Sequence, residues 1–196
     1  MLKKLIQSLR SPLRRTKHPR STPEILGNSQ HSMRRAQISR NAINVVERLQ
    51  KAGYQAYLVG GCVRDLLLGL EPKDFDVATS ATPEQVRAEF RNARVIGRRF
   101  KLVHVHFGRE IIEVATFRAN HPQGEDDEDS NLASRNESGR ILRDNVYGSL
   151  EDDAQRRDLT INALYYDPVT ERVLDYAHGV RDIQNRQIRL IGDPAQ

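Results

Sequence analysis

The chain has few of the features that mark membrane or disulfide-bonded proteins. It contains one cysteine, Cys62, among 196 residues, so no internal disulfide can form, and a reducing compartment fits this composition. No run of about 18 apolar residues is present, which excludes a membrane-spanning helix of ordinary length. Charged residues interrupt every apolar run near the N-terminus, so no signal peptide is predicted and we expect a cytoplasmic protein.

Positive charge is concentrated at one end of the chain. Residues 1–40 carry ten Lys or Arg and one acid, for a net charge of +9, whereas the remainder carries 21 basic and 25 acidic residues, for a net charge of −4. We therefore predict a basic, flexible arm over residues 1–37 and a folded domain over 38–196. Such an arm can contact RNA phosphates or, weakly, an anionic membrane, or it can be a solvated tail.

Hydrophobic periodicity predicts helices mixed with short strands. Apolar residues at helical spacing occupy 38–49, and Thr82 begins another helix because Pro83 and Gln85 complete its first turn and capping box. Strands are predicted over 54–59, 75–78, 101–107, 110–117, 165–166 and 172–176. No regular structure is predicted for the polar, acidic loop 119–140. The pattern favours an α/β (α+β) fold whose mixed or antiparallel sheet is flanked by helices.

Two aspartates carry the clearest sign of chemistry. Successive side chains of a strand point to opposite faces, so Asp74 and Asp76 share one face while Phe75 and Val77 enter the core. Two such carboxylates repel each other unless a cation lies between them, and Mg²⁺ favours carboxylate oxygens together with phosphates. We predict that Asp74 and Asp76 bind metal, although an isolated pair of this kind is more often a set of solvated acids in a turn.

A glycine pair precedes these acids. Gly60 and Gly61 permit a positive φ and have no Cβ, so backbone N–H groups can approach a phosphate closely. Arg64 falls in the first turn of the following helix, where it can pair with phosphate oxygens. A structural turn explains two glycines, but it does not explain an arginine and two acids that follow so closely. The segment therefore predicts a nucleoside triphosphate site.

Two residues are candidates for a third carboxylate of this site. Glu113 lies in the middle of a predicted strand, where an acid is costly if buried without a partner. It is either a catalytic acid or an edge-strand acid that faces water. Asp158 is the rival, at the end of a predicted helix that carries Asp153, Arg156 and Arg157. Asp153 and Arg156 are three residues apart, within reach of an ordinary ion pair.

These runs together resemble the head of class II template-independent nucleotidyltransferases, the family of tRNA CCA-adding enzymes and bacterial poly(A) polymerases. The matching runs lie within about residues 40–194 and are 58–69 (LVGGCVRDLLLG), 73–79 (KDFDVAT), 113–118 (EVATFR) and 156–164 (RRDLTINAL). Four ordered motifs at family-like separations are far more specific than any one of them. The run 145–158, the long insertion after Arg118 and the basic arm are more similar to the poly(A) polymerases.

The resemblance implies a polymerase-β-like nucleotidyltransferase head that transfers AMP from ATP to the 3′-hydroxyl of RNA and releases pyrophosphate. Two Mg²⁺ ions on Asp74 and Asp76 are implied, with Glu113 or Asp158 as the third catalytic acid. The implied nucleotide-binding residues are Gly60, Gly61, Arg64, Asp65, Arg118, Asp153, Arg156 and Arg157. The resemblance also implies neck, body and tail regions, which this chain lacks. CCA addition to tRNA and a non-catalytic RNA-binding module remain the alternatives.

Overall fold

An eight-stranded sheet organises the fold. A computed structural model describes residues 22–97, 100–119 and 146–192. The strands are β1 (Glu24–Leu26), β2 (Ala56–Val59), β3 (Asp76–Thr79), β4 (Ala93–Ile96), β5 (Leu102–Phe107), β6 (Glu110–Thr116), β7 (Leu164–Asp167) and β8 (Arg172–Asp175). They are ordered β1-β8-β7-β2-β3-β6-β5-β4, and β3 and β6 are parallel while every other pair is antiparallel. The predicted mixed sheet is confirmed.

Five α-helices and three short 3₁₀ helices connect the strands in the described residues. The α-helices are α1 (Arg40–Lys51), α2 (Gly61–Leu67), α3 (Pro83–Glu89), α4 (Leu150–Gln155) and α5 (Gly179–Gln184). Two 3₁₀ helices, Asn28–Gln30 and Arg35–Gln37, precede α1, and the third, Thr160–Asn162, is the one called the 3₁₀ helix from here on. The predicted start of α3 is confirmed, because the Thr82 hydroxyl accepts the Gln85 N–H while the Gln85 side chain accepts the Thr82 N–H.

The two faces of the sheet are covered unequally. Helices α1, α2 and α3 pack on one face, where Leu58, Val77 and Val114 contribute to the main hydrophobic core. On the opposite face, α4 joins a smaller cluster that includes Val59 and Tyr165. This smaller cluster leaves the β3, β6 and β5 portion of the second face open to solvent. The open portion is where a polar site can form.

Residues before the predicted boundary at residue 38 also belong to the sheet and its core. Strand β1 pairs with β8 at the edge of the sheet, and Met33 is fully buried in the main core. Arg35 donates a 2.6 Å hydrogen bond to the Pro168 carbonyl. A strand of three residues is too short to show the period-2 pattern by which strands are recognised. Residues 1–21 lie outside the described part of the chain, so the flexible arm stays a prediction there.

The predicted acidic loop also lies outside the described residues, apart from Ala119. The N–H of Ala119 donates to the carbonyl of Val146, which closes the backbone across that gap at 3.0 Å. Within the three described ranges, no helix has both the length and the apolar character needed to cross a membrane.

A buried junction holds the 3₁₀ helix against α5. The Thr160 hydroxyl donates to the Asp182 carboxylate at 2.8 Å, and Arg189 lies 3.0 Å from the other oxygen of Asp182. The backbone of α5 approaches so closely that a Cβ added at Gly179 would lie 2.2 Å from the Thr160 carbonyl oxygen. Glycine is required at this position because any side chain would push the 3₁₀ helix away from α5.

We expect Gly179→Ala to destabilise the protein by about 1–3 kcal/mol, the usual cost of overpacking a filled interior. Thermal unfolding measures the effect. Gly27→Ala is the matched control, because Gly27 has a φ of −78° and a Cβ there would meet its nearest atom at 3.7 Å. Equal unfolding midpoints for the two variants would contradict the close approach at Gly179.

Candidate active site

Asp76 and Glu113 lie next to each other on the open face of the sheet. Strand β3 begins at Asp76, and its residues pair in parallel with β6 so that Asp76 lies opposite Glu113. Exposure alternates along the chain here: Asp74 and Asp76 are exposed, whereas Phe75 and Val77 are buried. The predicted alternation is therefore present, although Asp74 precedes the strand instead of lying within it.

The neighbouring acids affect the ionisation of Asp76. Although Asp76 is exposed, partial desolvation of its carboxylate raises the pKa of Asp76, and the negative charges of Glu113 and Asp74 raise the pKa further. The positive charge of Arg157 acts in the opposite direction. A cation bound among these oxygens would remove the repulsion, and hard oxygen donors of this kind suit Mg²⁺.

The described residues contain no group of three or more acid, His or Cys side chains already gathered to hold a metal ion. Magnesium sites that serve nucleotides commonly take one or two carboxylates from the protein and the remaining ligands from phosphates and water. The acids of this face fit that arrangement, in which the nucleotide completes the metal site.

The glycine turn lies directly beside a half-buried arginine, Arg157. Gly60 has a φ of +77°, a conformation that L side chains rarely adopt, and its N–H donates to the Leu164 carbonyl. A Cβ at Gly60 would lie 3.6 Å from Nη1 of Arg157. The turn therefore brings bare backbone between β2 and β7, next to a cation.

Arg64 is oriented by two partners. Its Nε and Nη2 lie 2.9 and 2.8 Å from the same oxygen of Asp65, and its Nη1 donates to the Asn162 side chain at 2.9 Å. These contacts fix the guanidinium of α2 against the 3₁₀ helix. The carboxylate of Asp65 thus fixes the orientation of the Arg64 guanidinium. Sequence reasoning assigned no role to Asn162, although it lies within the run 156–164.

Asp153 is the centre of a second network. Its side chain is buried, and one of its oxygens accepts hydrogen bonds from Nη2 of Arg157 at 3.0 Å and from the Tyr165 hydroxyl at 2.7 Å. Its other oxygen accepts the backbone N–H of Arg118 at 3.3 Å. Burial alone lowers the pKa of Arg157, but Tyr165 and Asp153 outweigh that effect and raise it.

The predicted helix and its ion pair need correction. The helix ends at Gln155, so Arg156 and Arg157 lie at and beyond its C-terminal cap. Arg157, four residues from Asp153, makes the ion pair in place of Arg156. Arg156 is exposed. Sequence reasoning missed Tyr165, whose only signal was its place after the run 156–164.

Asp158 lies apart from the paired acids. It is exposed, its carboxylate accepts the N–H of Leu159 at 2.7 Å, and its carbonyl accepts the N–H of Ile191. The charges that raise the pKa of Asp76 come from Glu113 and Asp74. The geometry thus associates Glu113, and not Asp158, with the aspartates.

A cleft of about 370 Å³ lies between the paired acids and the Asp153 network, and its lining does not include Gly60, Gly61, Arg64, Asp65, Asp74 or Asp158. Its polar lining includes half of the predicted site residues, namely Asp76, Glu113, Arg118, Asp153, Arg156 and Arg157. Phe100 also lines the cleft, and the Arg118 guanidinium lies over its ring at 4.9 Å from the centroid. The cleft has acids on its sheet side and cations on its α4 side, which is the charge arrangement that a metal-bound triphosphate requires.

Comparison with known proteins gives relatives of two kinds. Poly(A) polymerase I of Salmonella typhimurium is 58% identical over 170 residues, which are 87% of this chain and 36% of that protein. The CCA-adding enzyme of Bacillus licheniformis is 40% identical over 156 residues, or 79% of this chain and 36% of that enzyme. The chain therefore spans about a third of the length of these curated relatives.

This chain also resembles the solved structure of a CCA-adding enzyme. The Bacillus stearothermophilus CCA-adding enzyme in complex with CTP superposes with a TM-score of 0.60 at 35% identity, over 77% of this chain and 33% of that one. The profile of the family described as "Poly A polymerase head domain" matches residues 56–189, which is more than half of the chain. The chain thus belongs to the poly A polymerase head domain family of nucleotidyltransferases.

Proposed function

We propose that this chain is the catalytic head of an enzyme that transfers AMP from ATP to the 3′-hydroxyl of RNA. The observation that carries the proposal is the pairing of Asp76 with Glu113 across β3 and β6, on the face that also bears Asp74. The arginines across the cleft supply the opposite charge. The 58% identity to poly(A) polymerase I, against 40% to a CCA-adding enzyme, favours AMP as the group transferred.

The acids have distinct parts in this proposal. Asp74 and Asp76 hold Mg²⁺, with Glu113 as the third carboxylate because it lies opposite Asp76 while Asp158 binds backbone elsewhere. Bound Mg²⁺ supplies positive charge that favours ionisation of the attacking hydroxyl and stabilises the leaving pyrophosphate. The RNA oxygen forms a bond to the α-phosphorus as the bond from that phosphorus to the β-phosphate oxygen breaks.

The glycine turn and the arginines orient the nucleotide in this proposal. The Gly60 turn lets phosphate oxygens approach the backbone N–H of Gly61 at the start of α2, and Arg64 approaches from the next turn. Asp65 orients Arg64 instead of contacting phosphate, since its carboxylate would repel one. Asp153 likewise fixes Arg157 and, through the backbone N–H, Arg118. Exposed Arg156 is available to the nucleotide or to RNA.

CCA addition to tRNA is a second candidate. The matched solved structures favour it, since one is a CCA-adding enzyme with CTP and another is a tRNA nucleotidyltransferase complexed with a primer tRNA and an incoming ATP analogue. A non-catalytic RNA-binding module is a third candidate, and the presence of Asp74, Asp76 and Glu113 together argues against it.

Nucleotide use separates these candidates. We expect the protein, expressed from its whole reading frame, to add long tails of A to an arbitrary RNA with ATP and Mg²⁺ alone. The tails are measured on sequencing gels, with tRNA that lacks its 3′-terminal CCA as the second substrate. Uptake of CTP that stops after about three added nucleotides on that tRNA would instead indicate CCA addition. RNA binding without any transfer would indicate the non-catalytic module.

Paired substitutions identify the third carboxylate. We expect Glu113→Gln to lower kcat by at least about 100-fold, above the loss typical of residues that only orient a metal ligand. Asp158→Asn is the matched control and should stay within about threefold of the wild type, because the amide oxygen can still accept the Leu159 N–H. Loss of transfer in Asp158→Asn with retention in Glu113→Gln would reverse the assignment.

A further inference from the structure

Four ionisable side chains form one row across the open face of the sheet. Strand pairing places Asp76 opposite Glu113, Glu113 opposite His104, and His104 opposite Arg94, on β3, β6, β5 and β4 in turn. Residues that pair directly across strands share a face, so the row leads from the proposed metal ligands away toward the β4 edge. His104 is the first residue of this row beyond the acids.

His104 makes direct contact with the third carboxylate. Its Nε2 lies 3.2 Å from Oε2 of Glu113, and its side chain is 26% exposed against 41% for that of Glu113. Glu113 lines the cleft, whereas His104 lies behind it. The imidazole therefore approaches Glu113 from the side opposite to Asp76.

Glu113 needs such a partner because its own chemistry makes it a poor fixed ligand. A glutamate side chain has three rotatable bonds, and holding it in one conformation costs up to about 2 kcal/mol of side-chain entropy. Asp76 lies opposite and carries the same charge, so repulsion favours conformers of Glu113 that turn away from the cleft. A donor that binds one carboxylate oxygen opposes both effects and leaves the other oxygen for a cation.

We propose that His104 is a positioning residue for the nucleotidyltransferase reaction, which holds the Glu113 carboxylate toward the proposed metal site through its Nε2–H. This inference rests on the proposed function, and it adds a residue that lies outside all four sequence motifs. Outer partners that orient a metal-binding side chain typically change metal affinity or activity by about 10- to 100-fold when they are removed.

The chain offers a matched control in His106. This residue lies two positions along β5, on the same face, with its ring 6.2 Å from that of His104, but it pairs with Ile111 in place of Glu113. A role that merely fills the surface of the sheet would make His104→Leu and His106→Leu equivalent. A positioning role affects His104 alone, and a side-chain amide in His104→Gln can restore the donor.

The experiment measures Mn²⁺ affinity from the electron paramagnetic resonance of free Mn²⁺, with a non-hydrolysable ATP analogue present, and kcat against Mg²⁺ concentration. We expect His104→Leu to weaken Mn²⁺ binding and to raise the half-saturating Mg²⁺ concentration about 10- to 100-fold, with the KM for ATP at saturating Mg²⁺ little changed. His104→Gln should recover to within about threefold, and His106→Leu should match the wild type.

Wild-type Mn²⁺ affinity in His104→Leu would overturn the inference and leave the proposed function intact. The inference would also be overturned if His104→Gln folds like the wild type but does not recover Mn²⁺ affinity, or if His106→Leu loses as much Mn²⁺ affinity as His104→Leu. Absence of Mn²⁺ binding in the wild type would instead contradict the proposed function, and the inference would fall with it.

Discussion

The register between β3 and β6 is the constraint from which the site follows. It sets the carboxylates of Asp76 and Glu113 side by side, with Asp74 close enough to add to the repulsion. Phe75 and Val77 keep that register because their burial holds the acids on the outer face. A slip of one residue would move every side chain of β3 to the other face, with acids in the core. Hydrophobic packing thus keeps together carboxylates that electrostatic repulsion alone would separate.

Two arginines beside the glycine turn are oriented by carboxylates. Arg64 and Arg157 each pair with a carboxylate of their own, Asp65 and Asp153. Asn162 touches both arginines, through its side-chain oxygen for Arg64 and through its carbonyl at 3.5 Å for Arg157. The guanidinium groups are thus oriented before a nucleotide enters, which lowers the entropy lost on binding. Side chains fixed in advance suit a reaction that depends on positioning and charge stabilisation.

Local patterns predicted the parts of this site that lie within continuous segments. The alternation about Phe75, the glycine turn and the Thr82 capping box each need only a few neighbouring residues, and each is present in the structure. Contacts between residues that are far apart in the sequence could not be predicted from local patterns. The pairing of β1 with β8 and the contact of His104 with Glu113 depend on strand order, which no local pattern encodes.

The helix end at Gln155 shows a different limit. The apolar and charged pattern continues past it, so the sequence predicted Arg157 on the helix and an Asp153–Arg156 pair. The hydroxyl of Tyr165, from β7, binds both Arg157 and Asp153 and helps to select the pair that forms. A tertiary contact therefore decided between two ion pairs that are equally reasonable in isolation.

Thermal unfolding of Asp76→Asn, compared with the wild type with and without Mg²⁺ and ATP, tests the central claim most directly. The pKa of Asp76 stands above its ordinary value near 3.8, so its ionisation destabilises the metal-free protein as the pH rises through that raised pKa. At neutral pH without metal, Asp76→Asn should therefore unfold about 1–3 °C higher than the wild type. Mg²⁺ with ATP should stabilise the wild type and leave the variant unchanged. A lower midpoint for the metal-free variant, or an equal response of both proteins to Mg²⁺ and ATP, would contradict the account.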